Sequence, residues 1–376
     1  MGTVSKRTTV RIIKIAMIAV LAVLLMIGLS AYLIIHSYIN KINLVITKMD
    51  DAQVEYSDDT LEDESDDFSV DNPFVVESEE GFDIQALSLP EEEIISLETQ
   101  IRENMEDRST PLMEDKEVFN ILLIGSDSRT TKETGRSDAM ILLSVNKNTK
   151  TITATSLLRD IYVQIPGKSN NRLNAAYTKG GADLLMDTIE QNFKIKIDRY
   201  ASVNFYAFIN IVDAIGGISM EVTEEEIPVI NNYIKEINNL TEQEENKDLL
   251  TEAGTLIMNG KQTLGFSRNR YVGNIDFDRT ARQRRVLEQV FAKVKDIKLT
   301  KLDDLLNKIL PEVTTNLTEG ELFSLILSLP TYMDYPIEQW SIPVKGSYSF
   351  LTIRGMSVLG IDFKENIDEI NSRIYN

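Results

Sequence analysis

The chain has 376 residues, no cysteine, and a single histidine, His36, which ends an apolar run remote from the other polar clusters. Disulfides, thiolate metal sites, cysteine nucleophiles and histidine relays are thereby excluded, leaving carboxylates, arginines, hydroxyls and an oxygen-preferring cation for any chemistry. The net charge of −20 would argue against phosphate binding, but residues 50–117 carry 25 Asp and Glu against 3 Lys and Arg, so the remainder is near +2 and the overall charge says little about a site.

Residues 1–11 are polar and basic, as a cytoplasmic tail would be. Ile15 to Ile35 follows without a charge, 21 residues that match the roughly 30 Å of bilayer hydrocarbon at 1.5 Å per residue. A transmembrane helix is expected over 12–36. Lys6, Arg7, Arg11 and Lys14 precede it and only Lys41 and Lys48 follow closely, which orients the N-terminus to the cytoplasm and the body outside. The expected localisation is the cell membrane, single-pass, with an extracellular domain. Residues 37–116 read as an acidic, largely disordered extracellular stalk held extended by self-repulsion, with a short helix over 91–105 to which no function attaches.

A folded domain is expected from Val118. Val118-Phe-Asn-Ile-Leu-Leu-Ile124, Ala139 to Val145 and Thr151 to Leu157 read as strands, the last two joined by a turn at Asn146–Thr149. Asn174 to Asn192 reads as a helix broken at Gly180-Gly181. Ser202 to Phe205 is expected as a strand, Phe205 to Ala214 as a helix stopped by Gly216-Gly217, and Ile218 to Val222 as a strand. Pro228 to Asn259 reads as a polar surface excursion. Helices are expected over 286–297, 302–310 and 319–329, and extended segments at Trp340–Pro343 and Ser349–Ile353. The fold class is α/β, a mixed central sheet flanked by helices. Residues 117–300 form the catalytic part and 301–376 a C-terminal α/β part of the same domain.

Phe266 to Arg285 places six arginines and two aspartates within twenty residues. Guanidinium forks match phosphate oxygens, so the cluster is suited to a polyanion. Arg268 and Arg270 alternate as on a strand, while Arg279, Arg282 and Gln283 fall at helical spacing and open an amphipathic helix. Two further blocks, Gly125-Ser-Asp-Ser-Arg129 with Arg136-Ser-Asp138, and Ser156-Leu-Leu-Arg-Asp160, supply carboxylates and another arginine where α/β sheets place ligands.

With Arg172-Leu-Asn-Ala-Ala-Tyr177, Asp213-Ala-Ile-Gly-Gly217, Asn259-Gly-Lys-Gln-Thr-Leu264 and Asp276-Phe-Asp-Arg-Thr-Ala-Arg-Gln283, these blocks stand in an order that resembles the LytR-CpsA-Psr family over residues 118–295. The resemblance implies an enzyme on the outer face of the cell membrane, mainly in Gram-positive bacteria. Such enzymes move a teichoic acid or capsular polysaccharide from an undecaprenyl-pyrophosphate carrier onto peptidoglycan. It also implies that Asp127 and Asp138 hold magnesium, with manganese an alternative, and that Arg159, Arg268, Arg270, Arg279 and Gln283 hold pyrophosphate. Arg136 and Arg282 join the expected phosphate contacts, and Asp276 matches an aspartate acting in catalysis or metal binding. Two departures stand out: Ala175 where many members carry histidine, and Asp278 where many carry glycine.

The expected catalytic set is Asp276, Arg268, Arg270 and Arg279, with Asp276 the candidate base for a sugar hydroxyl. An arginine-rich setting favours its charged form, which makes it a weaker base and suits orienting the hydroxyl or binding metal instead. Leu185, Ile189, Phe193, Phe205, Phe208 and Val212 are the candidate lining of a prenyl slot, against ordinary core packing. Three readings stay open: a transferase, a hydrolase acting on the same pyrophosphate with water, and a non-catalytic polyprenyl-phosphate binder. No helix-turn-helix is seen, and no nucleic acid is expected as a partner.

Overall fold

The computed structural model describes residues 36–45, 86–128, 135–273, 275–295 and 299–376, with the backbone alone at 275, 276 and 299–303. The elements in chain order are β1 (Asn43–Leu44), β2 (Leu87–Ser88), α1 (Glu91–Glu106), β3 (Val118–Ser126), β4 (Ser137–Asn146) and β5 (Thr151–Leu157). Next come β6 (Tyr162–Gln164), β7 (Asn170–Arg172), α2 (Asn174–Phe193), β8 (Arg199–Asn204), α3 (Phe205–Ala214), β9 (Ile218–Val222), α4 (Glu226–Leu240) and β10 (Gly254–Met258). Then α5 (Gly260–Arg268), α6 (Ile275–Lys295), α7 (Leu299–Ile309), β11 (Thr314–Thr315), α8 (Glu319–Tyr332), β12 (Ile337–Ile342), β13 (Tyr348–Ile353), β14 (Met356–Ile361) and α9 (Phe363–Ile374) complete the chain.

A seven-stranded mixed sheet in the order β1-β11-β8-β3-β4-β5-β12 organises the molecule. Its antiparallel middle, β3-β4-β5, follows from continuous apolar runs separated by short turns, and β8 and β12 add to its two sides in parallel with β3 and β5. The expected turn after β4 is present: Asn146 Oδ1 accepts from the backbone N–H of Asn148 and Thr149 at 2.8 and 3.1 Å. On one face Leu122, Ile124, Met140, Leu142 and Leu157 pack under α2, α1 and α9 in the main core. On the other, Ile141, Leu143 and Ala154 form a smaller cluster with Leu287 of α6.

Helix α2 bends where expected. Gly181 sits at φ +68°, ψ −157°, which only glycine adopts without strain, and a Cβ on Gly180 would fall 2.6 Å from Leu184 Cβ. A second hydrophobic cluster joins α3, α4 and the β9–β10 pair through Val212, Ile218, Ile230, Ile234 and Phe266.

Four expectations are corrected. The body begins well before Val118. β2 pairs with β13, and α1 buries Ile94 and Ile101 in the main core because its apolar residues recur on one helical face beneath the acidic ones. Residues just after the apolar run also belong to the fold: β1 pairs with β11, and Ile39 packs against Leu317 and Leu322. Pro228 to Asn259 is no surface excursion, since Ile230 and Ile234 of α4 are fully buried. Leu185, Ile189 and Phe193 line no slot, being fully buried in the main core, where Phe193 meets Phe363 at 5.6 Å between ring centroids. Val212 is likewise core, while Phe205 and Phe208 stay half-buried. The sequence reading also omitted β14 and α9, which close the C-terminal end.

Most of the expected transmembrane helix and residues 46–85 of the acidic stretch lie outside the described residues. Among the described ones no helix is long and apolar enough to cross a membrane.

Candidate active site

The two aspartates come together because β3 and β4 are antiparallel neighbours and the blocks carrying them stand at the paired end. The register shifts by one residue at Gly125/Ser126, and beyond it the chain clasps itself. Asp127 N–H donates to the Arg136 carbonyl at 3.1 Å, Arg136 N–H to Asp127 Oδ1 at 2.5 Å, and Gly135 N–H to Ser128 Oγ at 2.8 Å. Burial and the neighbouring charge of Asp138 push the Asp127 carboxyl above its ordinary range, against the opposing pull of the Arg136 amide and of the Arg136 and Arg268 charges. Two carboxylates that repel each other inside a half-buried cleft favour a cation between them. No group of three or more His, Cys, Asp or Glu side chains is arranged for a metal among the described residues. A magnesium ion nevertheless fits the donor set, because it takes only one or two carboxylates when phosphate oxygens and waters fill the remaining positions.

Arginines approach from three other elements. Arg159, just past β5 and buried, sets Nη1 3.1 Å from Asp138 Oδ1 and Nε 3.6 Å from Asp160. Gln283 of α6 donates to the Asp138 carbonyl at 3.4 Å. Arg279, one turn earlier on α6, is buried. Arg268 shares a cavity of about 100 Å³ with Asp127, Ser128, Phe205, Ile209 and Glu236. Its guanidinium lies between the rings of Phe205 and Tyr233, 4.6 and 4.5 Å from their centroids, and 3.3 Å from Glu236. This stacking holds a long, mobile side chain in one place.

Arg268 ends a helix and does not lie on a strand, which corrects the sequence reading. Asn259 and Gln262 form a reciprocal capping box that starts α5, Gly260 N–H donates to Asp213 Oδ1 at 2.7 Å, and the helix runs to Arg268 before Asn269 turns extended. A Cβ on Gly260 would fall 2.3 Å from the Ile209 carbonyl oxygen, so α3 and α5 cross in direct backbone contact. Lys261 is buried and donates to Asn238, Gln243 and Asp248 at 2.7, 2.7 and 3.1 Å. The Asp213–Gly217 and Asn259–Leu264 blocks are therefore scaffold that aims Arg268. Arg270, in the loop after α5, acts on the half-buried Tyr233 phenol through its charge.

Arg282 takes a different role from the expected phosphate contact. Its Nε lies 2.9 Å from Glu226, and its Nη1 and Nη2 donate to the carbonyls of Asn269 and Val272 at 3.1 and 2.8 Å. With its nitrogens engaged inside the protein, it ties α6 to α4 and pins the Arg268–Arg270 loop. Asp276 lies in the first turn of α6, three residues before Arg279; its side chain and Arg129 lie outside the described residues. Tyr233 and Glu236 were not foreseen, since an aromatic and an acid one turn apart on an amphipathic helix carry no signal of what they face.

Biofilm regulatory protein A of Streptococcus mutans is 36% identical over 216 residues, which cover 54% of this chain and 51% of that protein. The Enterococcus faecalis polyisoprenyl-teichoic acid–peptidoglycan teichoic acid transferase TagU is 34% identical over 220 residues, 57% of this chain and 67% of that one. The chain thus spans about half to two thirds of these relatives' length. The structure of the LytR-CPS2A-psr family protein YwtF (TagT) with bound octaprenyl pyrophosphate aligns at a TM-score of 0.52 and 24% identity. It covers 72% of this chain and 97% of that one, a likeness of fold. The model of the LytR_cpsA_psr family matches residues 88–373, and the chain belongs to that family.

Proposed function

We propose that the protein is a membrane-anchored extracellular transferase. It moves a glycopolymer of teichoic acid or capsular type from a polyprenyl pyrophosphate onto peptidoglycan. The observation that carries this reading is the convergence of Asp127 and Asp138 with Arg159, Arg268 and Gln283 on one cleft, beside a cavity with one apolar wall. The teichoic acid transferase activity named for the Enterococcus faecalis relative supports it.

The reaction breaks one P–O bond and makes another. An acceptor sugar hydroxyl attacks the polymer-side phosphorus, the bond to the bridging oxygen breaks, and polyprenyl phosphate leaves with that oxygen and its electron pair. Such a transfer needs charge neutralisation and in-line positioning more than covalent help from the protein. Arg268, Arg270 and Arg279 hold the negative charge that shifts onto the leaving phosphate, and Arg159 fixes Asp138. Asp127 and Asp138 would hold magnesium, which supplies Lewis-acid neutralisation of the pyrophosphate. Asp276, at the first turn of α6, orients the acceptor hydroxyl and receives its proton.

The start of the prenyl chain lies against Phe205, Ile209, Ile237 and Leu240, which wall the cavity that holds Arg268. This retains Phe205 from the expected slot and replaces the residues now placed in the core. Ile15 to Ile35 anchors the domain to the membrane that carries the lipid. Full-length protein in nanodiscs should bind polyprenyl pyrophosphate, and Arg268→Ala should weaken that binding at least tenfold. Equal affinity in the variant would refute the assignment of the cleft.

A further inference from the structure

Helix α8 is apolar, yet the fold leaves it largely uncovered. Leu322 to Met333 carries no charge, but Leu322 alone among the side chains of α8 is fully buried. The more polar α9 buries Phe363, Ile370 and Ile374. Leu327 and Leu329 of α8 stand 60% and 45% exposed, with Ser324, Pro330 and Thr331 exposed around them. Phe291 adds an exposed ring near the end of α6, where Lys295 donates to the Met333 carbonyl at 3.1 Å. Uncharged surface with large apolar side chains standing out of it marks contact with an apolar partner.

The path of the chain indicates which partner. The uncharged stretch Ile15 to Ile35 ends immediately before His36, whose Nδ1 lies 3.4 Å from Glu319 in the first turn of α8. Three residues further on, Ile39 packs against Leu317 and Leu322, and β1 then pairs with β11, the strand that precedes α8. No linker separates the stretch from the body. Leu327 lies about 12 Å along the helix axis from Glu319, at 1.5 Å per residue. The headgroup layer beside the hydrocarbon is about 5–8 Å deep, so a bilayer crossed by Ile15 to Ile35 lies within reach of the whole helix. Tyr332 and Tyr335, with ring centroids 5.6 Å apart, finish its C-terminal end. An apolar ring with a polar tip suits the membrane–water boundary.

We propose that α8 is an interfacial helix whose Leu327 and Leu329 enter the outer leaflet and dock the domain on the bilayer in one orientation. This docking presupposes Ile15 to Ile35 as the membrane anchor. Burial of the leucines favours the docked state with no charge to desolvate, and the anchor keeps the helix at high local concentration beside the lipid. The orientation bears on the reaction. Phe119, near the start of β3, packs in the same cluster as Leu322, and the cleft lies beyond Ser126, seven residues or about 23 Å further along the strand. Docking through α8 sets bilayer and cleft at opposite ends of the sheet. The cleft is then held out toward the wall, while the polyprenyl chain of the substrate reaches back to the membrane.

The test uses full-length protein in phosphatidylglycerol liposomes that contain a lipid with a nitroxide near its headgroup. Because the chain has no cysteine, Leu327→Cys or Ser324→Cys gives a single thiol for a fluorophore. The nitroxide lipid should quench either label by roughly half or more. A label at Ile95→Cys, 54% exposed on α1 over the other face of the sheet, should keep its emission. Adding Leu327→Glu and Leu329→Glu should return the Ser324 label to the level seen at Ile95. An unquenched Leu327 label in protein that resists alkaline carbonate extraction overturns the docking and keeps the anchor, whereas release by carbonate overturns both. Pyrene excimer emission at Leu327 without quenching by lipid assigns the face to a second copy and overturns the proposal. Equal quenching at Ile95, or a Ser324 label indifferent to the glutamates, overturns it as well.

Discussion

Arg282 and Arg268 show how differently two arginines of one cluster can be used. Arg282 and its partner Glu226 are both nearly fully buried, so Arg282→Ala strands a carboxylate in the interior. That should cost about 3–5 kcal/mol, read by chemical denaturation, and Arg282→Met with Glu226→Leu should recover most of it. A loss below about 1 kcal/mol would show that the pair is not structural. Asp127 illustrates the opposite economy, a group held at a cost to stability. Its carboxyl is raised by burial and by Asp138, so the folded state binds its proton more tightly than the unfolded chain does. Its unfavourable contribution is therefore relieved as pH falls through the raised pKa and is present in full above it. Asp127→Asn should raise the melting temperature of the ligand-free protein by a few degrees at pH 7, with the difference vanishing toward about pH 4, while abolishing turnover. A variant melting below the wild type at pH 7 would contradict this account. Arg268 was legible as a charge but not as a stacked side chain, because its aromatic partners come from α3 and α4, distant in sequence.

Among elements, the strands β3, β4 and β5 were readable because an apolar run of five to nine residues between turn signals has few other solutions. Helix α1 was half-read. Its acidic composition suggested a solvated stalk, whereas Ile94 and Ile101, seven residues apart, define the face that the core accepts. The strand expected at Arg268–Arg270 failed for a local reason: Arg-Asn-Arg alternates, but the capping box nine residues earlier had already committed the segment to helix. Apolar residues on α2 could not reveal whether they faced lipid or core, since both surroundings select the same side chains. The stacking of Arg268 on α4 gives a test at this scale. Tyr233→Leu should weaken polyprenyl pyrophosphate binding roughly tenfold and Tyr233→Phe should restore it, because the ring and not the hydroxyl holds the guanidinium. Equal losses in both variants would assign the effect to the hydroxyl, which donates to the Arg268 carbonyl at 3.3 Å.

For the whole molecule, charge is segregated. Residues 50–117 carry 25 Asp and Glu against 3 Lys and Arg, while the rest of the chain is near neutral and the cleft gathers arginines. The family was legible in the sequence because eight short blocks stand in an order that resembles it, and the mixed α/β sheet accounts for where those blocks meet. The C-terminal segment was less legible, since β12 matters only as the parallel neighbour of β5, a pairing that no local pattern records. The most direct measurement incubates full-length protein in detergent with a lipid-pyrophosphate-linked disaccharide, peptidoglycan oligomers and magnesium, and weighs the products by mass spectrometry. The account predicts a phosphodiester-linked adduct that is lost on chelation of the metal and reduced at least a hundredfold in Arg268→Ala and Asp127→Asn. Free sugar phosphate without adduct, or an adduct indifferent to both substitutions, would contradict it.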